Sequence, residues 1–288
     1  MNYDNCYAIV SEIRHNLNEY SLSLVQGAEQ GAFANEAIIH KINAAQSFLF
    51  ATLSQRIPDL FTAIIELTGV DSVYTLPANF STIEWFKDNS GVPIVPIQHK
   101  YIVPTAYTGL KNTYYRVGNE LRINRSGIVE VCTLYYRWKP RKITSGKSTD
   151  GALNSITLDI NAVDRPNYYE GMILENITQD WSSEIDLYRT SVANKRVATM
   201  EDDTVTCDTG DYYGIVSDLP EEFHPLITAK ATIMMKSTPL SQDKPSRSEI
   251  NDFEMVFIET LRAFAGTAVD VNIDELFTNY NITSLEHL

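Results

Sequence analysis

The hydrophobic period of this chain changes twice, and the order of those changes limits its fold more than any other feature. In 35–60, "NEAIIHKINAAQSFLFATLSQRIPDL", Ile38, Ile42, Ala45, Leu49 and Leu53 recur every three or four residues, the spacing of one helix face. Asn35 is placed to cap this helix, and Pro58 stops it, because the residue before a proline is pushed out of the α region. Upstream, Val10, Ile13, Leu17, Tyr20 and Leu24 predict an amphipathic helix over 11–26. The period then becomes two. "SVYTLPANFSTIEWFKD" and "GVPIVPIQHKYIV" predict strands with turns at Pro77-Ala78-Asn79 and Asn89-Ser90-Gly91, and "YYRVGNELRIN" predicts a hairpin about Gly118-Asn119. "GIVEVCTLYYRWKP" puts Val129, Val131, Thr133 and Tyr135 on one face and Cys132, Leu134, Tyr136 and Trp138 on the other. A strand apolar on both faces is expected to be covered on both sides.

Residues 141–152, "RKITSGKSTDGA", read as a polar linker. Beyond it "NSITLDI", "GMILENIT", "IDLYRTS", "KRVATM" and "TVTCDT" are short strand patterns about ten residues apart, the spacing of a small β-barrel or β-sandwich. Helical patterns return after Pro220. "SRSEINDFEMVFIETLRAF" carries a capping box at Ser246 and Glu249, a stripe of Ile250, Phe253, Phe257, Leu261 and Phe264, and Gly266 as a stop. The expected fold class is therefore α+β, with a helical layer built from the N- and C-terminal segments, a central antiparallel β region and an inserted small β domain. The expected division is 1–141 plus 218–266 as a helical core with hairpins, 150–217 as the inserted β domain, and 267–288 as an acidic C-terminal arm.

Charge and motif content narrow the function. The chain carries a net charge of −14, which disfavours DNA wrapping over its whole surface. The charge is uneven: 111–147 holds nine Lys/Arg against two Glu, and 200–222 holds eight Asp/Glu and no Lys/Arg. Such runs are commonly solvated faces, and they also suit complementary surfaces in an assembly. No stretch of about 18 apolar residues is present, so no membrane-spanning helix is expected, and the N-terminus shows no secretion-signal pattern. Three dispersed cysteines favour neither a disulfide framework nor a Cys-rich zinc site, and suggest synthesis in a reducing cytoplasm.

"TSGKST" at 144–149 ends like a phosphate-binding loop, but Arg141 stands where the first glycine belongs, and a strand pattern follows in place of a helix. The five histidines are at least twenty-five residues apart and form no local metal pair. "EDDTVTCDTGD" lacks the calcium-loop spacing and reads as a hairpin with charged edges. The aromatics of "LYYRWK" could stack on bases, with Arg137 and Lys139 for phosphates, although Tyr and Trp alternating on a strand more often serve core and interface. The residues show no catalytic constellation, no cofactor site and no metal site, so no enzyme is expected.

The ordered set of motifs resembles the head-to-tail adaptor (connector) proteins of tailed bacteriophages. The likeness runs through "EAIIHKINAAQSFLFATLSQRIPDL", "YTLPANFSTIEWFKD", "PIVPIQHKYI", "YYRVGNELRIN", "VEVCTLYYRWKP" and the segment from Leu219 to Pro225. The β block resembles a module of phage virion proteins at Tyr168, Tyr169, Gly171 and Met172 and at Arg196, Val197, Ala198 and Thr199; "QDWSSEIDL" stands where that module has a Gly-rich turn. The resemblance covers roughly 35–265 and implies a ring, usually of twelve copies, between the portal and a tail or nozzle protein, assembled in the host bacterial cytoplasm and retained in the virion. DNA would pass through the lumen without sequence-specific binding. The candidate assembly interface comprises Arg122, Arg137, Trp138 and Lys139 from the basic stretch, with Phe277, Tyr280, Ile282 and Leu285 as anchors in the arm. Another tail or baseplate component, such as a receptor-binding module, is the alternative, and a hydrolase comes third.

Overall fold

The computed structural model describes residues 5–19, 33–69, 73–97, 112–124, 131–191, 195–239, 241 and 244–265. By internal contacts the chain forms two compact units, one from Met1–Ile57 and Pro140–Leu288, the other from Pro58–Lys139. This division differs from the expected one. The hairpin-bearing segment Pro58–Lys139 is the separate body, and the 150–217 β block belongs with the helices.

In the larger unit, helix α1 (Cys6–Asn16) is capped by the Asn5 side chain, which accepts from the Ala8 N–H. It starts and ends earlier than the 11–26 pattern suggests. Asn18 adopts a left-handed φ of 59°, which ends the helix before Tyr20 and Leu24, both outside the described residues. Helix α2 (Asn35–Arg56) ends before Pro58 as expected, and Ile38, Ile42, Ala45, Leu49 and Leu53 are fully buried. Asn35 does not cap it. Ala34 holds that position, and Asn35 Oδ1 accepts from Arg14 at 2.6 Å. Helices α3 (His224–Lys236) and α4 (Arg247–Ala265) follow, and the early and late helices pack together: α3 lies against α1, α2 and α4. The expected capping box opens α4, with Ser246 Oγ accepting from the Glu249 N–H at 3.1 Å and Glu249 Oε2 accepting from the Ser246 N–H at 2.7 Å. In its stripe Phe253, Phe257 and Leu261 are buried, whereas Phe264 is exposed.

Seven strands of this unit form one sheet: β8 (Ser145–Lys147), β9 (Asp150–Ala152), β10 (Ser155–Leu158), β11 (Ile173–Asn176), β12 (Trp181–Thr190), β13 (Arg196–Met200) and β14 (Tyr212–Ile215). Their order is β8-β14-β11-β12-β13-β10-β9. The two edge strands, β8 and β9, are neighbours in sequence, separated by Ser148 and Thr149 alone. A flat seven-stranded sheet would hold its edges nearly 30 Å apart at about 4.8 Å per strand, so the sheet must curl round toward closure. Tyr169, Tyr188, Tyr213, Leu174 and Ile185 are fully buried in this body, and Tyr169 and Tyr188 meet edge to face at 4.9 Å. "TVTCDT" is not a strand; it contributes a single bridge, Thr206 to Leu153.

The expected linker at 141–152 is instead a structural seam. Asn43 on α2 pairs with Ile143 through both backbone groups at 2.9 Å, and Gln46 Nε2 donates to the Arg141 carbonyl at 2.6 Å. Buried Arg141 is bound to Asp218 at 2.8 Å and donates to the Glu170 carbonyl at 2.5 Å. Within "TSGKST", a Cβ on Gly146 would overlap the Asp159 carboxylate, and Ser148 Oγ accepts from the Gly210 and Asp211 N–H groups at 2.8 and 2.9 Å while donating to the Asp208 carbonyl. The hydroxyl that would serve a nucleotide in a phosphate loop here ties a turn. Its polar residues have backbone partners within the fold, and for that reason composition misread them as linker.

The smaller unit has two sheets. β1 (Thr62–Thr68), β7 (Val131–Trp138) and β3 (Phe80–Asp88) form the first, with β7 central. β2 (Val73–Thr75), β6 (Glu120–Asn124), β5 (Thr113–Val117) and β4 (Val95–Pro96) form the second. The β5–β6 hairpin turns at Gly118, φ 60°, as its Gly-Asn pair predicts. Tyr74, Phe80, Phe86, Tyr114, Leu121, Ile123, Cys132, Leu134 and Tyr136 draw one core from both sheets. β1 is a strand that the sequence reading did not assign. β4 covers only part of the expected 91–103 strand, since Pro93 and Pro96 each lack a ladder N–H, and 98–103 lies outside the described residues.

Candidate assembly interface

β7 alternates between buried Cys132, Leu134 and Tyr136 and half-exposed Val131, Thr133 and Tyr135. Its second face is therefore not covered as expected; it belongs to an outward surface of the three-stranded sheet. Register sets a row across that surface, with Ile64 on β1 opposite Tyr135 on β7 and Tyr135 opposite Trp85 on β3. Ile64 is 62% exposed and Trp85 47% exposed. The Trp85 and Tyr135 rings lie 5.5 Å apart, and Lys87 Nζ stands 5.7 and 5.1 Å from their centroids. Such a ring pair contributes about 1 kcal/mol beyond burial, and an exposed cation on a ring about 0.5–1 kcal/mol.

Charges bracket the row. On one side Arg137 is ion-paired with Glu84, both more than 40% exposed; on the other stand Glu66 and Lys87. An exposed pair of this kind contributes about 0–1 kcal/mol to the fold, so these groups matter more for what they present to solvent. An apolar aromatic centre inside a charged rim matches the anatomy of protein contact surfaces, where Trp, Tyr and Arg dominate.

The four described residues of the expected interface divide. Arg137 lies on this face. Lys139 is exposed just beyond β7, its N–H donating to the Asn79 carbonyl at 2.8 Å. Trp138 points the other way, half-buried with its ring 5.0 Å from Phe61 and packed against the core, so it holds the sheet and is not a surface anchor. Arg122 is exposed on β6, in the second sheet, ion-paired to Glu120 at 2.8 Å. Phe277, Tyr280, Ile282 and Leu285 lie outside the described residues. Sequence reasoning missed Ile64, Trp85 and Lys87; Ile83 packs against the core, and the register shift between Ile83 and Trp85 breaks the alternation that would have marked the outward face of β3.

The acidic run divides too. Glu201, Asp202, Asp203 and Asp208 are exposed, while Asp211 is buried and accepts from Asn176 Nδ2 at 2.9 Å and from the Asp208 N–H at 2.8 Å. Two hydrogen bonds from Thr204 hold the Asp202 carboxyl below its ordinary pKa, so this surface stays negative. Among the described residues no group of three or more His, Cys, Asp or Glu side chains could hold a metal ion. An open groove of about 610 Å³ is lined by α1, α3 and α4; Lys236 and Glu249 at its rim bind each other at 2.5 Å, which depresses the Glu249 pKa. No helix among the described residues is long and apolar enough to cross a membrane. No family model matches the chain, and no curated protein matches it in sequence.

Proposed function

We propose that this protein is a structural virion component that assembles into a ring at the head–tail junction of a tailed bacteriophage, joining the portal to the tail and leaving a lumen for DNA. The observation that carries this reading is the outward Ile64–Tyr135–Trp85 row with its Lys87 and Arg137 rim, a surface suited to another protein. Two further features support it. The ordered motifs at 35–265 resemble the adaptor proteins, and the net charge of −14 gives a repeated ring a field that repels phosphate and so lets DNA slide. In this reading the protein performs no catalysis and binds no cofactor, and the basic side chains belong at protein contacts away from the lumen.

The test is direct. Negative-stain microscopy of the purified full chain, alone and with portal-bearing phage heads, is expected to show annular particles on the portal vertex. A chain that stays monomeric and leaves the portal vertex bare at physiological salt overturns the reading. Reversal of Arg122, Arg137 and Lys139 to Glu is expected to abolish docking without unfolding the protein.

A further inference from the structure

A second exposed apolar feature lies on the other unit. The β9–β10 hairpin turns at Leu153 and Asn154, with Asn154 at a left-handed φ of 48°. Leu153 is 64% exposed at this tip. The acidic turn is fastened beside it: Asn154 Nδ2 donates to Asp203 Oδ1 at 2.6 Å, the Asn154 N–H donates to the Val205 carbonyl at 2.8 Å, and Leu153 forms a bridge with Thr206. The Trp181 indole braces the same turn through the Thr206 carbonyl at 2.9 Å. The result is a braced knob with an apolar tip set among the exposed carboxylates of Glu201, Asp202 and Asp203.

The two features are chemical counterparts. One is an aliphatic tip among carboxylates; the other is an aromatic row beneath Lys87, with Arg137 and its partner Glu84 on one side and Glu66 on the other. The charge of the chain divides in the same way, since 58–139 carries eight Lys/Arg against seven Asp/Glu, so the whole negative excess falls on the unit that bears the knob. Among the described residues nothing covers either feature, as the exposures of Leu153 and Trp85 show.

We infer that the Leu153 knob of one copy docks on the Ile64–Tyr135–Trp85 face of a second copy, with Asp202 and Asp203 meeting Lys87 and Arg137. Because the two patches differ, the contact is head-to-tail, and the pair keeps one knob and one face free, on opposite copies. Repetition of such a contact closes into a ring or runs on as a filament. The inference rests on the ring reading above and assigns the contact that would build the ring.

Complementary lesions test it. Leu153→Asp blocks the knob and Trp85→Asp blocks the face; both positions are exposed, and unchanged thermal melts confirm the fold. Should either variant unfold, Leu153→Ser and Trp85→Ala form the second pair. Sedimentation velocity and negative stain of each variant alone are expected to show self-association weakened by on the order of 30-fold or more, the effect of losing an interface hot spot. Mixing the two leaves one intact knob and one intact face, so a one-to-one dimer that grows no further is expected. If either variant assembles like the wild type, or the mixture stays monomeric, the assigned contact is wrong while wild-type rings still uphold the broader reading. A wild-type chain that never self-associates, alone or on portal-bearing heads, overturns both.

Discussion

The two β bodies use the same residue types to opposite ends. The seven-stranded sheet of the larger unit curls until its edges are two residues apart, and it hides Tyr169, Tyr188 and Tyr213 completely. The three-stranded sheet of the smaller unit covers only one face. Trp85 and Tyr135 are left on the other, and β1 forms an edge whose seven residues pair with β7 without a bulge. Its opposite edge, β3, shifts register twice against β7. Bulges are a common way to discourage pairing with other chains, and β1 lacks that protection. An aromatic on a strand is thus core or contact according to whether the sheet closes over it.

The largest expected effect breaks this comparison on the closed side. Tyr188→Ala removes a fully buried ring and its hydroxyl bond to the Val163 carbonyl at 2.8 Å, and is expected to destabilise the larger unit by about 3–5 kcal/mol in urea unfolding. A shift under 1 kcal/mol would mean that the curled sheet is not a packed core. Arg141→Ala comes next. It strips the largely buried Asp218 carboxylate of its cation, and calorimetry is expected to show a loss of about 2–3 kcal/mol.

Alkaline pH should act on the same unit. Burial pushes the Cys6 thiol from 9.0 up to about 12, and burial also raises the Tyr169, Tyr188 and Tyr213 phenols. The folded form keeps these protons while the unfolded chain releases them. The stability they contribute is therefore whole below pH 9 and is lost progressively as pH climbs toward 12. The urea midpoint at pH 10.5 is expected to fall below that at pH 8, and Cys6→Ala to lessen the drop; a flat profile would refute the burial of these groups. The smallest effect sharpens the comparison on the open side. Trp85→Ala is expected to lower fold stability by about 1–2 kcal/mol, because it forfeits one ring contact and one cation contact at the surface.

What the sequence revealed follows the reach of each signal. The α2 stripe, the Pro58 stop, the Gly118 hairpin and the Ser246–Glu249 box depend on neighbours within a few residues, and all four stand in the structure. The seam at 141–147 was misread because its partners, Asn43, Gln46 and Asp218, are distant in the chain, so its polar composition alone suggested a linker. The second face of β7 was misjudged for a related reason. Alternation tells which residues share a face, but only the rest of the fold decides whether that face is covered. Trp138 and Arg137 are adjacent, and the pleat sends one toward the core and the other to solvent; reading them together as interface overlooked that period of two.

The short joint at Ser148 and Thr149 also orders events during synthesis. Among the described residues β8 pairs with β14 alone, so Ser145–Lys147 must wait for the ribosome to deliver Tyr212–Ile215 before it can pair. The β9–β10, β11–β12 and β12–β13 pairs can zip up locally as hairpins, but the long-range pairs at the seam form only once the chain has passed Ile215.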